Sequence, residues 1–257
     1  MVINNKNAIP EGAFYSSCEK GILNAGKRFP RKPTHMDKYY YGDYIYTYYN
    51  GNKGWGVEIN LNVTNKNRSE YGPILDMVGT TPVVSMCSTF KDCECLINPP
   101  IIPPYITDMD SSFLGCDSLI VAPVIPFGVI NMDYCFYDCF SLEKSPVIPN
   151  SVKQASYIFA NCKSLKRVHP IHYQSSMIAC DMFQNCELEE IPVGNIVNSM
   201  FCDTSFNLEG YSIFINSWGN MEYENFKECK TYRVDREYTI AELKRINAEV
   251  RKQDKPG

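Results

Sequence analysis

The apolar positions in the middle of the chain recur every 23 residues. Within each recurrence four of them are spaced 0, 3, 7 and 10, and Met86, Phe90 and Cys93 are the last three of the first set. This spacing matches one face of a helical or near-helical turn. A leucine and a short Pro-rich segment follow, for example residues 121–126, which is too rich in proline for a helix. The pattern therefore predicts units of one short helix and one extended segment. Five units carry its aromatic and sulfur-bearing members: Phe90, Cys93, Phe113, Cys116, Phe136, Cys139, Phe159, Cys162, Phe183 and Cys186.

Such a unit cannot bury its apolar face alone, so consecutive units are expected to stack into an α/β solenoid. The phenylalanines then form one continuous buried row, and each cysteine fills a small apolar site where the coil turns back. At about 5 Å per coil, neighbouring thiols point in parallel, which is the wrong geometry for a disulfide. No Cys-x-x-Cys pair occurs among the twelve cysteines, so no metal site is predicted.

The segments on either side of the repeats are expected to cover the open ends of the core. Residues 39–50 contain seven tyrosines and precede a Gly-Asn turn, which predicts a β-hairpin. This hairpin either caps the first coil with one face or forms an exposed aromatic surface. After Phe206 a degenerate last coil is expected, followed by a capping helix that begins at Thr239 with Glu242 in a capping box. The predicted division is an N-terminal cap over residues 1–80, the solenoid over 81–206 and the C-terminal cap over 207–257.

Composition and charge exclude some function classes. An apolar fraction of 44% and a charged fraction of 21% are typical of a folded protein. The net charge of -4 argues against direct binding to nucleic acid. The N-terminal residues do not follow the pattern of a signal peptide, and no apolar run reaches the length of a membrane span. We therefore expect a cytoplasmic protein with reduced thiols and no membrane contact.

The units resemble leucine-rich repeats of the bacterial surface protein A type, in which a Leu, an Ile-Pro, a Val, an Ala-Phe and a Cys recur. Here the match covers residues 81–206, the Ile-Pro stands one residue later, and the Gly-x-x-Ala before Phe is absent. A variant in phage-encoded and gut-bacterial proteins is more similar, because a Tyr-rich segment, a Gly-Trp and a Tyr-Gly-Pro-Ile-Leu stretch precede its repeats. These correspond to residues 41–44, 54–57 and 71–75. The resemblance implies a leucine-rich-repeat-like stack of coils.

No catalytic constellation is found in the sequence. Three histidines are present, and His169 and His172 on a Pro-rich segment need further ligands to hold a metal. Asp108 and Asp110 form an Asp-x-Asp, but they occupy a repeat position and are interpreted as scaffold. Neither a Gly-x-Ser-x-Gly nor a Gly-rich phosphate loop occurs. We expect neither an enzyme nor a cofactor.

Partner binding is expected on the Pro-rich strand side and the hairpin, because the helical sets commit their apolar residues to the core. In the second coil Leu119, Ala122 and Val124 are predicted to point inward, which leaves Val121, Pro123 and Ile125 outward. The outward strip then combines aromatic anchors with cations, as protein interfaces do. The predicted partner-binding residues are Tyr44, Tyr46, Tyr48, Val121, Ile125, Lys144, Ile148, Arg167 and His172.

These expectations favour a non-catalytic binding module, which the resemblance suggests is phage-derived. Its partner is expected to be a host protein or protein–nucleic acid complex, for instance a bacterial defence nuclease of the CRISPR type that it blocks. A rigid solenoid suits this task because little ordering entropy is lost on binding. The alternative is a structural or adhesive component of a phage tail or cell surface. A phage tail component would be located in the virion instead of the cytoplasm.

Overall fold

In a computed structural model of the chain, the structure describes residues 13–17, 21–24, 26–29, 32–172, 174, 176–189, 194–195, 200, 204–208, 211–215, 221–225 and 228–230. Over these residues the regular elements are strands, and no α-helix occurs. The strands are β1 Phe14–Ser17, β2 Gly21–Asn24, β3 Lys38–Tyr41, β4 Tyr44–Tyr49, β5 Gly54–Ile59, β6 Met77–Val78, β7 Thr81–Ser85, β8 Ile171–His172, β9 Glu187–Leu188, β10 Gly194–Asn195, β11 Thr204–Leu208, β12 Tyr211–Ile215, β13 Met221–Asn225 and β14 Glu228–Lys230.

Seven strands form one sheet at the N-terminal end, in the order β2-β1-β3-β4-β5-β7-β6. The predicted hairpin is confirmed as β4 and β5, which pair antiparallel with Tyr48 opposite Trp55. β5 pairs with β7 in parallel, with Trp55 opposite Val83. Because β7 begins the first repeat, this sheet continues directly into the solenoid.

Successive coils are joined by two rows of parallel bridges. The first row links Ser85, Asp108, Asn131, Gln154 and Ile178, each to the next. The second row links Val121 to Lys144 and Lys144 to Arg167. Each step advances by one repeat, so the predicted stack of coils is confirmed. A short β8–β10 pair lies near the end of the described solenoid.

Tandem turns take the place of the predicted short helices. In the first coil the N–H of Thr89 donates to the carbonyl of Met86 at 3.0 Å. The third residue of this turn, Ser88, has a φ of 56°, which is the signature of a type II turn. A second turn follows four residues later, in which the N–H of Cys93 donates to the carbonyl of Phe90 at 3.0 Å. Between the two turns, the N–H of Phe90 donates to the carbonyl of Ser112 in the next coil at 2.8 Å. The helix prediction is wrong because the same spacing describes two consecutive four-residue turns.

The phenylalanine row is confirmed. The five rings are fully buried. Neighbouring rings stack with centroids 5.3, 5.4, 5.8 and 5.6 Å apart from Phe90 through Phe183, and their planes lie within 16° of parallel. Rings at this distance are in full van der Waals contact, so each coil extends the same apolar column.

The repeat cysteines are buried as predicted, and they also form hydrogen bonds. The thiol of Cys139 donates to the carbonyl of Phe113 in the preceding coil, with a sulfur–oxygen distance of 3.2 Å. The thiols of Cys116, Cys162 and Cys186 donate in the same way, each to the carbonyl of the repeat phenylalanine in the preceding coil. The nine cysteines whose side chains the structure describes are all free thiols. The thiol is therefore a backbone-satisfying donor as well as an apolar filler.

The N-terminal sheet packs on the first ring of this row. Tyr44 meets Phe90 edge-on, with centroids 6.3 Å apart, and Tyr71 lies 5.4 Å from the same ring. Tyr44, Tyr46 and Tyr48 are all buried. Their predicted exposure to a partner is therefore wrong, because β4 directs these side chains into the core that the sheet shares with the first coil.

Beyond the solenoid, β9 and β11 to β14 form a five-stranded sheet in the order β14-β13-β12-β11-β9. β11 joins β9 in parallel, and the remaining strands follow as an antiparallel meander. Where the sequence predicts a degenerate last coil, the structure thus has antiparallel hairpins. The predicted capping helix from Thr239 lies outside the described residues.

Candidate functional site

One side of the solenoid exposes apolar side chains in register, and we call it the ridge face (residues 97–105, 120–127, 143–150 and 166–171). Ile101, Val124 and Val147 stand 23 residues apart and are 90%, 88% and 60% exposed. Phe127 is 89% exposed beside them. Large apolar residues with this exposure normally occur singly on a protein surface. Their alignment over three coils makes the ridge face the leading candidate for a binding surface.

The row of bridges Val121, Lys144 and Arg167 borders this ridge. All three side chains are exposed, and the bridges place them on neighbouring coils. The outward placement predicted for these three residues is confirmed. Parallel coils lie about 4.8 Å apart, so the two cations stand side by side. The row changes from apolar to basic along the solenoid axis.

Two predicted members of the site are buried instead. Ile125 and Ile148 are 6% and 7% exposed, whereas Val124 points outward rather than inward. Ala122 packs against the core and Pro123 is buried, so strict alternation counted from Val121 slips by one residue. The Ile-Pro isoleucines are core residues, and the valines before them belong to the surface.

A groove of about 470 Å³ lies between the second and third coils of the ridge face. Its walls include Val124, Phe127, Val147 and Lys144, and His169 closes one end. The Nδ1 of His169 lies 2.6 Å from the carbonyl oxygen of Ser145 and therefore carries the proton. The side chain of His172 lies outside the described residues, so its predicted role stays a prediction.

The sequence analysis missed Ile101, Val147 and Phe127. The signal was the repeated Val-Ile-Pro, in which two large apolar residues stand side by side and cannot both face the core of an extended segment. Phe127 follows the same tripeptide where the next coil has Asn150. A large apolar residue at a position that another coil fills with a polar one indicates exposure.

Two other features are missing from the part of the chain that the structure describes. Its His, Cys, Asp and Glu side chains form no group of three or more able to hold a metal ion. The same residues include no helix of the length and apolarity that crossing a membrane requires. Among the described side chains, the ridge face aligns exposed large apolar residues on three consecutive coils.

Comparison with solved structures finds leucine-rich repeat proteins. The T. pallidum leucine-rich repeat protein TpLRR is 20% identical, covers 57% of this chain and 69% of its own, and gives a TM-score of 0.43. A leucine-rich repeat protein from Bacteroides ovatus is 17% identical, covers 65% of this chain and 57% of its own, and gives a TM-score of 0.40. The chain thus spans little more than half of the Bacteroides protein. No curated protein matches the chain.

The family comparison rests on the repeats themselves. The profile of the BspA type leucine rich repeat region matches residues 87–208 and 129–246, in six copies. Together these matches run from residue 87 to 246, which is more than half of the 257 residues. The matched span contains the phenylalanine row, the tandem turns and the ridge face. The chain therefore belongs to the BspA type leucine rich repeat family.

Proposed function

We propose that the chain is a non-catalytic module whose ridge face binds a partner protein. The observation that carries this proposal is the register of Ile101, Val124 and Val147, which repeats an exposed apolar residue on three consecutive coils. Repeat solenoids generally use such extended surfaces to bind macromolecules. Burial of these side chains by a partner contributes about 25 cal/mol per Å² of apolar area removed from water, from which the entropic cost of association is subtracted.

The chemistry of the ridge face specifies the kind of partner. Lys144 and Arg167 border the apolar ridge, so an acidic rim around an apolar patch would be complementary. The groove between Val124 and Val147 accommodates one protruding apolar side chain of the partner. Since the coils are cross-linked by backbone hydrogen bonds, the face is ordered before binding and little entropy is lost there.

We propose that the partner is a protein of the host. A host protein such as a bacterial defence nuclease, blocked in the cytoplasm by a phage-derived inhibitor, fits the charge of the rim, because nucleic-acid-mimicking or acidic surfaces pair with cations. The rival proposal is a structural or adhesive component of a phage tail or cell surface. These two differ in where the chain is found and in what it binds.

The test uses the full chain as bait with paired variants. Lys144→Glu with Arg167→Glu should weaken capture of a stoichiometric partner by about tenfold or more, because charge reversal at a rim lowers the association rate. Val124→Asp should abolish capture by placing a charge in the apolar contact. Lys153→Glu with Lys163→Glu is the matched control, since these two cations are exposed outside the ridge face.

Three results would separate the possibilities. Capture lost only in the ridge-face variants supports the proposed function. Capture unaffected by them, with circular dichroism showing an intact fold, removes the ridge face as the binding site. Recovery of the chain from purified virions, with no host protein bound in the cytoplasm, favours the structural role.

A further inference from the structure

The charges of the solenoid are segregated along its axis. Residues 144–180 contain five Lys or Arg and no acidic residue. Residues 92–143 contain no Lys or Arg and eight acidic side chains, Asp92, Glu94, Asp108, Asp110, Asp117, Asp133, Asp138 and Glu143. A stretch of more than two coils thus has carboxylates without a single cation of its own. Such a surface attracts cations from a partner.

The tandem turns carry a tyrosine cluster where the acidic stretch meets the basic one, and we call the side of the coils that they form the turn face (residues 86–93, 109–116, 132–139, 155–162 and 179–186). Tyr134 and Tyr157 stack with centroids 5.0 Å apart and planes 7° from parallel. Tyr137 lies 5.8 Å from Tyr134 at 54°. Tyr134 is 39% exposed, and the corresponding residue of the preceding coil is Ser111, which is too small to cover its ring. The column of rings is therefore open on the side of the acidic coils.

The backbone at both stacked tyrosines is strained. Tyr134 and Tyr157 have φ values of 54° and 56°, in the left-handed region that bulky residues rarely adopt. The equivalent residues of the other coils are Ser88, Ser111 and Asp181, which are smaller. Residues held in such conformations persist only where the surrounding structure fixes them, and they cluster at functional sites. Packing alone does not call for tyrosine here, because serine occupies the same place in the first two coils.

Carboxylates adjoin the tyrosine column. The carboxylate of Asp133 accepts a hydrogen bond from the N–H of Ser156 at 2.7 Å, and that of Asp110 accepts one from the hydroxyl of Ser111 at 2.6 Å. Partial burial raises the pKa of Asp133, and the negative charge of Asp110 raises it further. A carboxylate whose charge is disfavoured by a neighbouring negative charge is stabilised by a cation bound beside it.

We propose that the turn face is a second binding surface, in which Tyr134, Tyr137 and Tyr157 with Asp110 and Asp133 take an arginine-rich segment of a partner protein. A guanidinium group stacks on the open face of Tyr134 and donates to the neighbouring carboxylates, which matches both halves of the site. A lysine ammonium satisfies the charge but not the planar stacking. This surface lies on other residues than the ridge face and does not depend on its function.

The test measures binding of a defined probe to the full chain. The peptide (Arg-Gly-Gly)4 should bind, and the matched (Lys-Gly-Gly)4 should bind several-fold more weakly, because stacking distinguishes the two cations. Tyr134→Ser with Tyr157→Ser should weaken binding of the arginine peptide by about tenfold, the loss of one to two aromatic contacts. Serine stands at this position in the first two coils, so the variant should fold. Tyr105→Ser, at an exposed tyrosine outside the turn face, is the control and should bind normally.

The acidic part of the site is tested separately. Asp110→Asn with Asp133→Asn should weaken binding and flatten its salt dependence, while Glu94→Gln with Asp117→Asn should change affinity little. Equal affinity for the arginine and lysine peptides, or no loss in the paired tyrosine variant, would overturn the proposal by reducing the site to general charge attraction. Preferential binding of a neutral oligosaccharide would also overturn it. The ridge-face variants should bind the peptide normally, so failure of either proposal leaves the other testable.

Discussion

The N-terminal sheet and the solenoid both bury a group of aromatic rings, but the rings pack differently and different groups form the hydrogen bonds around them. In the solenoid every fully buried ring is phenylalanine, stacked on an identical ring one coil away, with polar contacts left to the cysteine beside it. In the sheet the rings are mostly tyrosines at varied angles, and several buried hydroxyls bond to individual partners. Tyr44 donates to the carbonyl of Gly72 at 2.7 Å, and Tyr46 accepts from the N–H of Leu75 at 3.0 Å.

This difference follows from translation symmetry. A coil that repeats every 23 residues offers each ring the same neighbours, so one side chain without polar atoms serves at all five positions. The N-terminal sheet ends the repetition, and its loops bring single backbone groups to each tyrosine. A repeated core therefore tolerates uniform residues, whereas the cap needs individually matched hydrogen bonds. The following predictions test that contrast, beginning with the largest effect.

The first prediction concerns the middle of the column. Phe136→Ala removes a ring that stacks on Phe113 and Phe159, and the rigid coils on both sides cannot close the space. We expect the free energy of unfolding to fall by about 3–5 kcal/mol. Urea denaturation followed by circular dichroism measures it. Phe127→Ala, at an exposed ring of the same coil region, should change stability by about 0.5 kcal/mol or less. Similar losses in the two variants would contradict the buried column.

The second prediction concerns the cap. Tyr44→Phe keeps the edge contact with Phe90 and removes the hydrogen bond to Gly72. We expect a loss of about 1–2 kcal/mol, because the carbonyl of Gly72 is left with one partner fewer in a largely buried place. Tyr40→Phe, at a tyrosine of β3 that is only partly buried, is the matched control and should be nearly neutral. A neutral Tyr44→Phe would mean that the cap, like the solenoid, uses only the rings.

How much of this was predictable from the sequence depends on the same contrast. The repeat interval predicted the stack, the phenylalanine column and the buried cysteines, because the same residue type recurs at the same position in five coils. The turns were missed although the residue before each repeat cysteine is Asp92, Gly115, Asp138, Asn161 or Asn185. Aspartate, asparagine and glycine are the residues that most readily adopt positive φ, so this column indicated turns rather than a helix.

The binding surface was predictable only in part. Val121, Lys144 and Arg167 were placed correctly because their row of bridges follows the repeat interval. Ile125 and Ile148 were misplaced because a Pro-rich segment with few bridges does not keep strict alternation. Tyr44, Tyr46 and Tyr48 were misplaced because the sequence of a tyrosine-rich strand is the same whether its hydroxyls bond to water or to backbone. The backbone partners of Tyr44 and Tyr46 are Gly72 and Leu75, which lie more than twenty residues away along the chain.

The third prediction concerns the thiols. Cys139→Ala removes a donor to the carbonyl of Phe113, and we expect a loss of about 1 kcal/mol. Burial raises the pKa of Cys139 and that of Cys186, the latter to about 12, so neither thiol forms a thiolate near neutral pH in the native state. Site-resolved alkylation at pH 8 should therefore label the exposed Cys87, Cys95 and Cys180 and leave both buried thiols unmodified until denaturant is added. Labelling of Cys139 at the same rate as Cys95 would contradict its place in the core.

The fourth prediction uses a break in the repetition. Asn161 donates to the carboxylate of Asp138 at 2.7 Å, and Asn185 donates to Asn161 at 2.8 Å, which forms a ladder of side chains along the turns. Gly115 interrupts this ladder with a φ of 70°. A Cβ at Gly115 would lie 3.1 Å from an oxygen of Asp92, the far end of an exposed side chain that can move aside.

Gly115→Asn should therefore extend the ladder and stabilise the protein by about 0.5 kcal/mol, because asparagine tolerates positive φ and restricts the unfolded chain more than glycine. Gly115→Val is the contrasting variant. A β-branched residue is strained at this φ, so it should destabilise the protein by about 1 kcal/mol or more. Thermal and urea unfolding of the two variants in parallel measure the difference. If both variants destabilise equally, the close approach to Asp92 outweighs the backbone conformation at this position, and repetition of the ladder is not what limits the stability of the turns.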